Sequence, residues 1–190
     1  MVQNYTRKLI RDVFVKMLNK RPLNKITVKD IVTECEINRN TFYYYYADIH
    51  AIISEIFQTE LQKVIDEYND TRSWEESFLV AAEFALENKK AIYHVYYSMQ
   101  RQELENYLYG IAGNVMTRYV DSVCLDIPAS DGDKRIIGSF YQCALTEMVL
   151  HWVASGMKDE PEKIIRRIGL LFDGNIELSL RRSADLSDTL

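Results

Sequence analysis

Apolar residues recur every three or four positions along most of the chain, the period of an amphipathic α-helix. Glycine and proline are scarce, with 7 and 3 among 190 residues, and neither occurs between Leu23 and Tyr109. A sandwich or barrel needs a turn about every 8–12 residues, so this spacing argues against an all-β fold. The pattern predicts an all-α protein of about nine helices.

Two short helices with strong N-terminal signals are predicted after Pro22, which ends the first amphipathic stripe. In "ITVKDIV", Thr27 is an N-cap and Asp30 follows three residues later, as in a capping box. The segment "INRNTFYYYY" begins in the same way, with Asn38 as the N-cap. Two capped helices in such close succession predict a helix-turn-helix.

Five consecutive aromatic residues, 42–46, belong to the second of these helices. At about 100° per residue, Phe42 and Tyr46 fall on the inner face, whereas Tyr43 and Tyr44 point outward. Exposed tyrosines are costly surface residues unless a partner covers them. The run therefore predicts two core aromatics and two that are available to a partner.

The net charge of −5 hides an uneven distribution along the chain. Residues 1–46 carry nine Lys/Arg and four acids, hence +5, and the remainder carries −10. A basic head on an acidic body favours contact with a polyanion, although a chance cluster of solvated charges would give the same count. The residue types suit double-stranded DNA, because arginine pairs with guanine, asparagine with adenine, and hydroxyl groups with phosphates.

The segment "ITVKDIVTECEINRNTFYYYYADIHAII" resembles the DNA-binding region of the TetR family of bacterial transcription regulators. The resemblance covers about residues 5–57 and is strongest in "TVKDIV" and "INRNTFYYYY". It implies a three-helix head on a larger helical body that dimerises and often binds a small effector. By position it implies DNA contacts from Thr27, Lys29, Asn38, Arg39, Asn40, Thr41, Tyr43 and Tyr44.

The chain departs from the family pattern at two places. Cys35-Glu36 replaces the usual Ala-Gly of the turn, so no glycine supplies a positive φ there. Ile49 stands where many members have a lysine, which removes one expected phosphate contact. The low glycine content and "TFYYYYADI" resemble a subgroup related to activators of dihydroxyacetone kinase operons.

The pattern divides the chain into a DNA-binding head (residues 1–47), a helical effector-binding and dimerisation body (48–182) and a polar tail expected to be disordered (183–190). Aromatic residues in the body have two interpretations that stay open, an amphipathic effector pocket or ordinary half-buried packing. The candidate effector-binding residues are Tyr93, Tyr97, Tyr107, Tyr119, Tyr141 and Trp152.

The last predicted helix extends through Ile176. Wide apolar stripes on the last two helices suit a dimer interface. A two-fold dimer would present two helix-turn-helix heads to adjacent half-sites, which compensates for the few base pairs that one head reads. The expected interface residues are Phe140, Ala144, Met148, Ile168 and Phe172.

Other classes of protein have less support. The sequence has no nucleotide-binding glycine loop and no hydrolase or zinc-protease motif, so we expect no enzyme and no cofactor. The three cysteines lack metal-type spacing, and neither a signal peptide nor a membrane helix is predicted, which favours the cytoplasm. The alternative is a helical adaptor whose basic head binds a protein or membrane surface. Repression and activation remain equally open.

Overall fold

The computed structural model describes residues 2–98 and 101–187, and in these ranges every regular element is helical. The all-α prediction is confirmed. Met99 and Gln100, predicted to extend a helix, and residues 188–190 of the predicted tail lie outside the described residues. The helices are α1 (Val2–Leu18), α2 (Val28–Glu34), α3 (Arg39–Tyr45), α4 (Ile49–Thr71), α5 (Trp74–Glu87), α6 (Lys89–Tyr96), α7 (Arg101–Val123), α8 (Asp131–Ala154), α9 (Pro161–Phe172) and α10 (Asn175–Ser187), with a 3-10 turn at Leu23–Lys25.

The first three helices pack around one small core. Phe14 of α1, Ile31 of α2 and Phe42 of α3 are fully buried in it. Both predicted caps are present, since the Thr27 side chain accepts the Asp30 N–H and the Asn38 side chain accepts the Thr41 N–H. Local capping therefore sets where α2 and α3 begin, and the shared core sets how they pack.

The body is built mainly on α7, which packs along α8 on one side and α4 on another, while α5 packs on α4 and α9. Val64, Ile111, Val115 and Met116 are buried between these helices. None of the helices in the described ranges combines the length and hydrophobicity needed to cross a membrane.

The C-terminal part of the chain differs from the prediction in two respects. One helix was expected through Ile176, but the chain breaks at Gly174, which has a φ of 71°, and α10 follows as a separate helix. Residues 183–190 were expected to form a disordered tail. This prediction is wrong for residues 183–187, which belong to α10. Ser183 is buried, and its hydroxyl donates to Asp133 Oδ2 at 2.6 Å. This bond holds α10 on the start of α8.

The end of α1 is attached to the body through α6. Asn19 Oδ1 accepts the Ala91 N–H at 3.2 Å, and Asn19 Nδ2 donates to Asn88 Oδ1 at 3.4 Å. His94 Nδ1 lies 2.7 Å from Leu18 O, and because a carbonyl only accepts, this nitrogen carries the proton. The head is therefore fixed to α6 by several hydrogen bonds.

Candidate nucleic-acid interface

A tight turn joins α2 to α3 and sets the direction of the second helix. The Cys35 N–H donates to Ile31 O at 2.9 Å, and the Ile37 N–H donates to Val32 O at 3.0 Å. Between them Glu36 adopts a φ of 54°, the left-handed conformation that favours glycine. The turn thus keeps a glycine-type backbone although glutamate occupies the position, and the strain expected from the missing glycine lies at Glu36.

The outward face of α3 carries two aromatic side chains. Tyr43 is 46% exposed and Tyr44 is 69% exposed, whereas Phe42 and Tyr46 are buried. The predicted division of the aromatic run is confirmed. The Tyr44 ring meets Tyr45 edge to face at a centroid distance of 5.0 Å. Two phenol groups are therefore presented on the side of α3 opposite the core.

Arg39 and Tyr43 form a pair one turn apart on the same exposed face. The guanidinium carbon lies 5.7 Å from the centre of the Tyr43 ring, and Arg39 Nη2 donates to the phenol oxygen at 3.4 Å. An aromatic face attracts a guanidinium and limits the conformations of its long side chain. Asn40, the next residue, is also exposed. The start of α3 therefore presents a partly ordered arginine beside an amide.

Two of the predicted contact residues, Thr27 and Asn38, cap helices, and a third, Thr41, bonds to the Asn38 cap. Asn38 Oδ1 accepts from both the Thr41 N–H at 2.8 Å and the Thr41 hydroxyl at 3.0 Å. The Thr27 hydroxyl donates to Asp30 Oδ2 at 2.8 Å and accepts the Asp30 N–H. These groups are engaged in holding the helix starts, which orients the backbone N–H groups there.

The cations of the head fall into two groups. Arg7 and Arg11 pair with Glu55 of α4 at 2.7 and 3.9 Å, Lys16 lies 3.9 Å from Glu34, and Arg21 lies 3.2 Å from Asp30. Others are exposed and form no salt bridge within the described ranges, so their charge is not offset locally. These are Lys8, Lys20, Lys25, Lys29 and Arg39.

A contact that the sequence pattern did not reveal fixes α3 between α1 and α4. Arg7 Nε donates to Glu55 Oε2 at 2.9 Å, and the Arg7 guanidinium lies 5.8 Å from the centre of the Tyr46 ring. The Tyr46 hydroxyl donates to Arg7 O at 3.5 Å. Burial, with a further effect of Glu55, raises the pKa of Tyr46 to about 12, so the phenol stays protonated. The signal is an ion pair of residues 48 positions apart, which no local pattern shows.

At position 49, where the resemblance would place a lysine, the chain has an isoleucine. Ile49, at the start of α4, is half-buried and packs against the core, and Asp48 caps the helix through the Ala51 N–H at 2.9 Å. The exposed neighbour at this helix start is His50. Ile49 therefore helps to join the head to α4 and offers no cation at this point.

The six candidate effector-binding residues do not form one site. Tyr107 and Trp152 line a cavity of about 530 Å³ between α5, α7, α8 and α9. Tyr119 and Tyr141 line a smaller space of about 150 Å³. Tyr93 and Tyr97 pack on each other at the surface, with tilted rings whose centres are 4.5 Å apart, and line neither space. The six candidates therefore lie in three different places, and their role in effector binding stays a prediction.

The larger cavity is lined by residues that the aromatic count had missed. Trp74 and Phe78 of α5 and Thr146 of α8 line it, together with aliphatic residues of α9. Trp74 and Phe78 have the ordinary spacing of a buried helix face, so they could not be told from core residues. Thr146 gave no signal either, because it stands beside Glu147 and reads as part of the polar face of the helix.

The five candidate dimer residues are divided between surface and interior. Phe140, Ala144 and Met148 lie exposed on α8, and Phe172 is exposed at the end of α9. Ile168 is half-buried and lines the cavity, so it faces into its own chain. The physical reason is that α9 is apolar on two sides, and its inner stripe packs on the cavity.

Comparison with known proteins identifies the family of the chain. Residues 72–174 match the TetR-type family described as "Transcriptional regulator C-terminal region". The HTH-type dhaKLM operon transcriptional activator DhaS of Lactococcus lactis subsp. lactis (strain IL1403) is 27% identical over 84 residues. That alignment covers 44% of this chain and 45% of the relative's length.

A solved structure has the same fold. The dihydroxyacetone kinase operon activator DhaS superimposes with a TM-score of 0.76, covering 91% of this chain and 97% of the other at 21% identity. The family match spans more than half of this chain, over the helices that form the body, and the head contains the expected helix-turn-helix. The chain belongs to the TetR family of transcriptional regulators.

Proposed function

We propose that the protein binds a specific DNA operator as a homodimer and that a small molecule in the body controls this binding. Lys29, Arg39, Asn40, Tyr43 and Tyr44 form the contact surface of each head. Arg39 and Asn40 read base edges in the major groove, and Lys29 with the two tyrosines contacts phosphates. The caps Thr27 and Asn38, the latter bonded to Thr41, hold the helix starts against the DNA backbone.

The observation that carries this proposal is the exposed Arg39–Tyr43 pair on α3. Two further cations of the head that form no salt bridge among the described residues, Lys25 and Lys29, lie nearby in the sequence. The paired cations of α1 stabilise the fold, whereas Lys25, Lys29 and Arg39 have no acidic partner in the described ranges. Phosphates would neutralise these charges and release counterions.

An apolar stripe on α8 supports the homodimer. Its members are spaced by four residues, so they lie on one face of the helix, and all are exposed. Phe140 alone is 68% exposed, which is costly for a side chain of this size unless it is covered. A second copy of the same helix would cover it by two-fold symmetry. The stripe consists of Ile136, Phe140, Ala144 and Met148.

The link between α6 and the head supports control by an effector. Ile92 of α6 lines the cavity, and the adjacent Ala91 donates its N–H to Asn19 at the end of α1. A ligand that displaced α6 would therefore act directly on the attachment of the head. Such a ligand must have different affinities for the two arrangements.

Fluorescence anisotropy with labelled DNA tests the proposal. The protein is titrated into duplexes from upstream of its own gene and into scrambled duplexes of the same length. Operator binding should be at least about a thousandfold tighter than binding to the scrambled DNA, with two chains or a multiple per site. Equal, weak and salt-sensitive binding to every duplex tested would contradict sequence-specific recognition.

Sedimentation analysis tests the dimer separately. Phe140→Glu places a charge on the α8 stripe and should convert the dimer to a monomer and weaken operator binding. Leu125→Glu is the matched control, because Leu125 is 83% exposed but lies beyond the end of α7 and outside the stripe. A Phe140→Glu variant that stays dimeric would exclude this face as the interface.

The sign of regulation requires a reporter gene. The similar sequence and the similar structure are both named as the activator DhaS, so activation is the first hypothesis to test. Expression of this chain should raise transcription from a promoter that carries the operator. Lowered transcription would show repression.

A further inference from the structure

The large cavity of the body is almost entirely apolar inside. Side chains from α5, α6, α7, α8 and α9 enclose about 530 Å³, within the range of about 300–1,000 Å³ typical of small-molecule sites. Its aromatic walls include Trp74, Phe78 and Trp152. The acidic and basic side chains that line it, Glu147, His151 and Asp159, are exposed and therefore lie toward solvent.

Two residues of this lining, Tyr107 and Thr146, carry hydroxyl groups that have no hydrogen-bond partner within residues 2–98 and 101–187. Tyr107 is only 6% exposed and Thr146 only 1% exposed, and neither Tyr107 Oη nor Thr146 Oγ1 makes a hydrogen bond. A buried hydroxyl without a partner costs free energy, so such groups are rare unless something else satisfies them. They lie on two different helices, α7 and α8, that both line the same cavity.

The surroundings of Tyr107 keep its hydroxyl neutral and well placed. Its ring stacks on Phe57 at a centroid distance of 4.7 Å and an interplanar angle of 12°. Burial, and to a smaller extent Glu60, raises the pKa of Tyr107, so the phenol remains a hydrogen-bond donor. The Trp152 indole N–H is already bound to Asp159 O at 2.9 Å and is not available to a ligand.

We infer that the cavity takes an uncharged, largely apolar molecule that carries a hydroxyl or carbonyl oxygen, which Tyr107 and Thr146 bind. This inference rests on the proposed control by an effector and specifies the chemical class of that effector. A carboxylate is disfavoured, because no lysine or arginine of the described residues lines the cavity, His151 lies at its exposed edge, and the exposed acids Glu147 and Asp159 repel it. An oxygen-free hydrocarbon would leave both hydroxyls unsatisfied.

The chain's own fluorescence reports occupancy directly. Its two tryptophans, Trp74 and Trp152, both line the cavity. The full-length protein is titrated with 1-octanol and, in parallel, with octanoate, with excitation at a wavelength that only tryptophan absorbs. The fluorescence should change saturably with 1-octanol, and octanoate should bind at least about tenfold more weakly, because its charge would lose hydration without a partner.

Three conservative variants test the role of the hydroxyls. Tyr107→Phe and Thr146→Val should each weaken 1-octanol binding by about three- to tenfold. Tyr68→Phe is the matched control, because its hydroxyl is also buried without a partner but does not line the cavity. The melting temperatures of the free variants should be unchanged or higher than that of the wild type, since each substitution removes an unsatisfied buried group.

The possible outcomes separate this inference from the proposed function. Equal 1-octanol affinity in all variants, octanoate binding as tight as 1-octanol, or no fluorescence change would each overturn the inference. Operator binding is measured on the same protein without probe. If the protein binds its operator but shows no fluorescence response to 1-octanol, only the inference about the cavity is excluded. If it responds to 1-octanol but does not bind an operator specifically, only the DNA-binding proposal is excluded.

Discussion

The Arg39 guanidinium carbon lies 5.7 Å from the centre of the Tyr43 ring, and Nη2 is 3.4 Å from the phenol oxygen. This pair occupies the exposed face of α3 in a head that already uses other arginines for structure. Arg7, by contrast, is bound to Glu55 and lies over the buried Tyr46 ring. The same two residue types therefore stabilise the head in one place and face solvent in the other.

Replacement of Arg39 should affect specificity. Arg39→Ala should cost about 1–3 kcal/mol in operator binding and relax the preference at one base position, because a bidentate contact with guanine is lost. Tyr43→Phe keeps the ring that supports Arg39 and removes only the hydroxyl, so it should weaken binding to all sequences alike. Anisotropy titrations with single-base operator variants measure both effects. An unchanged base preference in Arg39→Ala would show that Arg39 does not contact the bases.

Replacement of Lys29 should change the salt dependence. Lys29→Ala should lower the slope of log K against log salt by about one per half-site, because one fewer phosphate is neutralised. Lys16→Ala is a suitable control, since Lys16 is an exposed lysine already 3.9 Å from Glu34. The slope should stay the same in that variant. Equal slopes in Lys29→Ala and the wild type would exclude a contact of Lys29 with phosphate.

Replacement of Glu36 by glycine should stabilise the protein. Relief of the left-handed conformation, worth about 1–2 kcal/mol, exceeds the entropic cost of glycine of about 0.5–1 kcal/mol. The free energy of unfolding should therefore rise by up to about 1 kcal/mol. Thr33→Gly, at an exposed helical position in α2, should lower it by a similar amount. Denaturant unfolding measures both, and destabilisation by Glu36→Gly would show that the turn is not strained.

The start of α2 should lose stability in acid. Hydrogen bonds from the Thr27 side chain and backbone, and the nearby Arg21, lower the pKa of Asp30 below its ordinary value of 3.8. A depressed folded-state pKa gives stability that is present above the unfolded value and is lost as the pH falls through the folded value. The difference in melting temperature between the wild type and Asp30→Ala should therefore be constant above about pH 5 and shrink below about pH 4.

Thr27→Val should reproduce this behaviour, and the two substitutions together should be less than additive, because both remove the same cap. A constant difference in melting temperature from pH 7 to pH 3 would show that the Asp30 carboxylate does not stabilise the head.

Asn19 should carry part of the coupling between the cavity and the head. In the wild type, operator DNA should change the affinity for 1-octanol, since binding at two coupled sites is reciprocal. Asn19→Ala removes the bonds to Ala91 and Asn88. In this variant the ratio of the 1-octanol affinities with and without operator DNA should be close to one. Asn114→Ala is the control, because the Asn114 side chain bonds only within α7, to Gly110 O at 2.9 Å. A ratio equal to that of the wild type in Asn19→Ala would place the coupling elsewhere.

Local chemistry made the head predictable from the sequence. Thr27, Asp30 and Asn38 form their capping hydrogen bonds with residues three positions away, so a short segment of sequence is enough to predict them. The period of the helix alone separates buried Phe42 and Tyr46 from exposed Tyr43. The all-α class follows in the same way, because each amphipathic stripe depends only on neighbours three or four positions away.

The tertiary structure decided which distant residues meet. Helix crossings bring Arg7 to Glu55, and they bring Ser183 to Asp133, which turns the expected disordered end of the chain into a packed helix. They also separated the predicted effector residues, leaving Tyr107 with Thr146 in one cavity. Sequence periodicity states which face of a helix is buried but not what lies opposite, because the partner depends on how helices cross. For this reason the helix-turn-helix head could be predicted from the sequence, whereas the cavity follows only from the packing of the body.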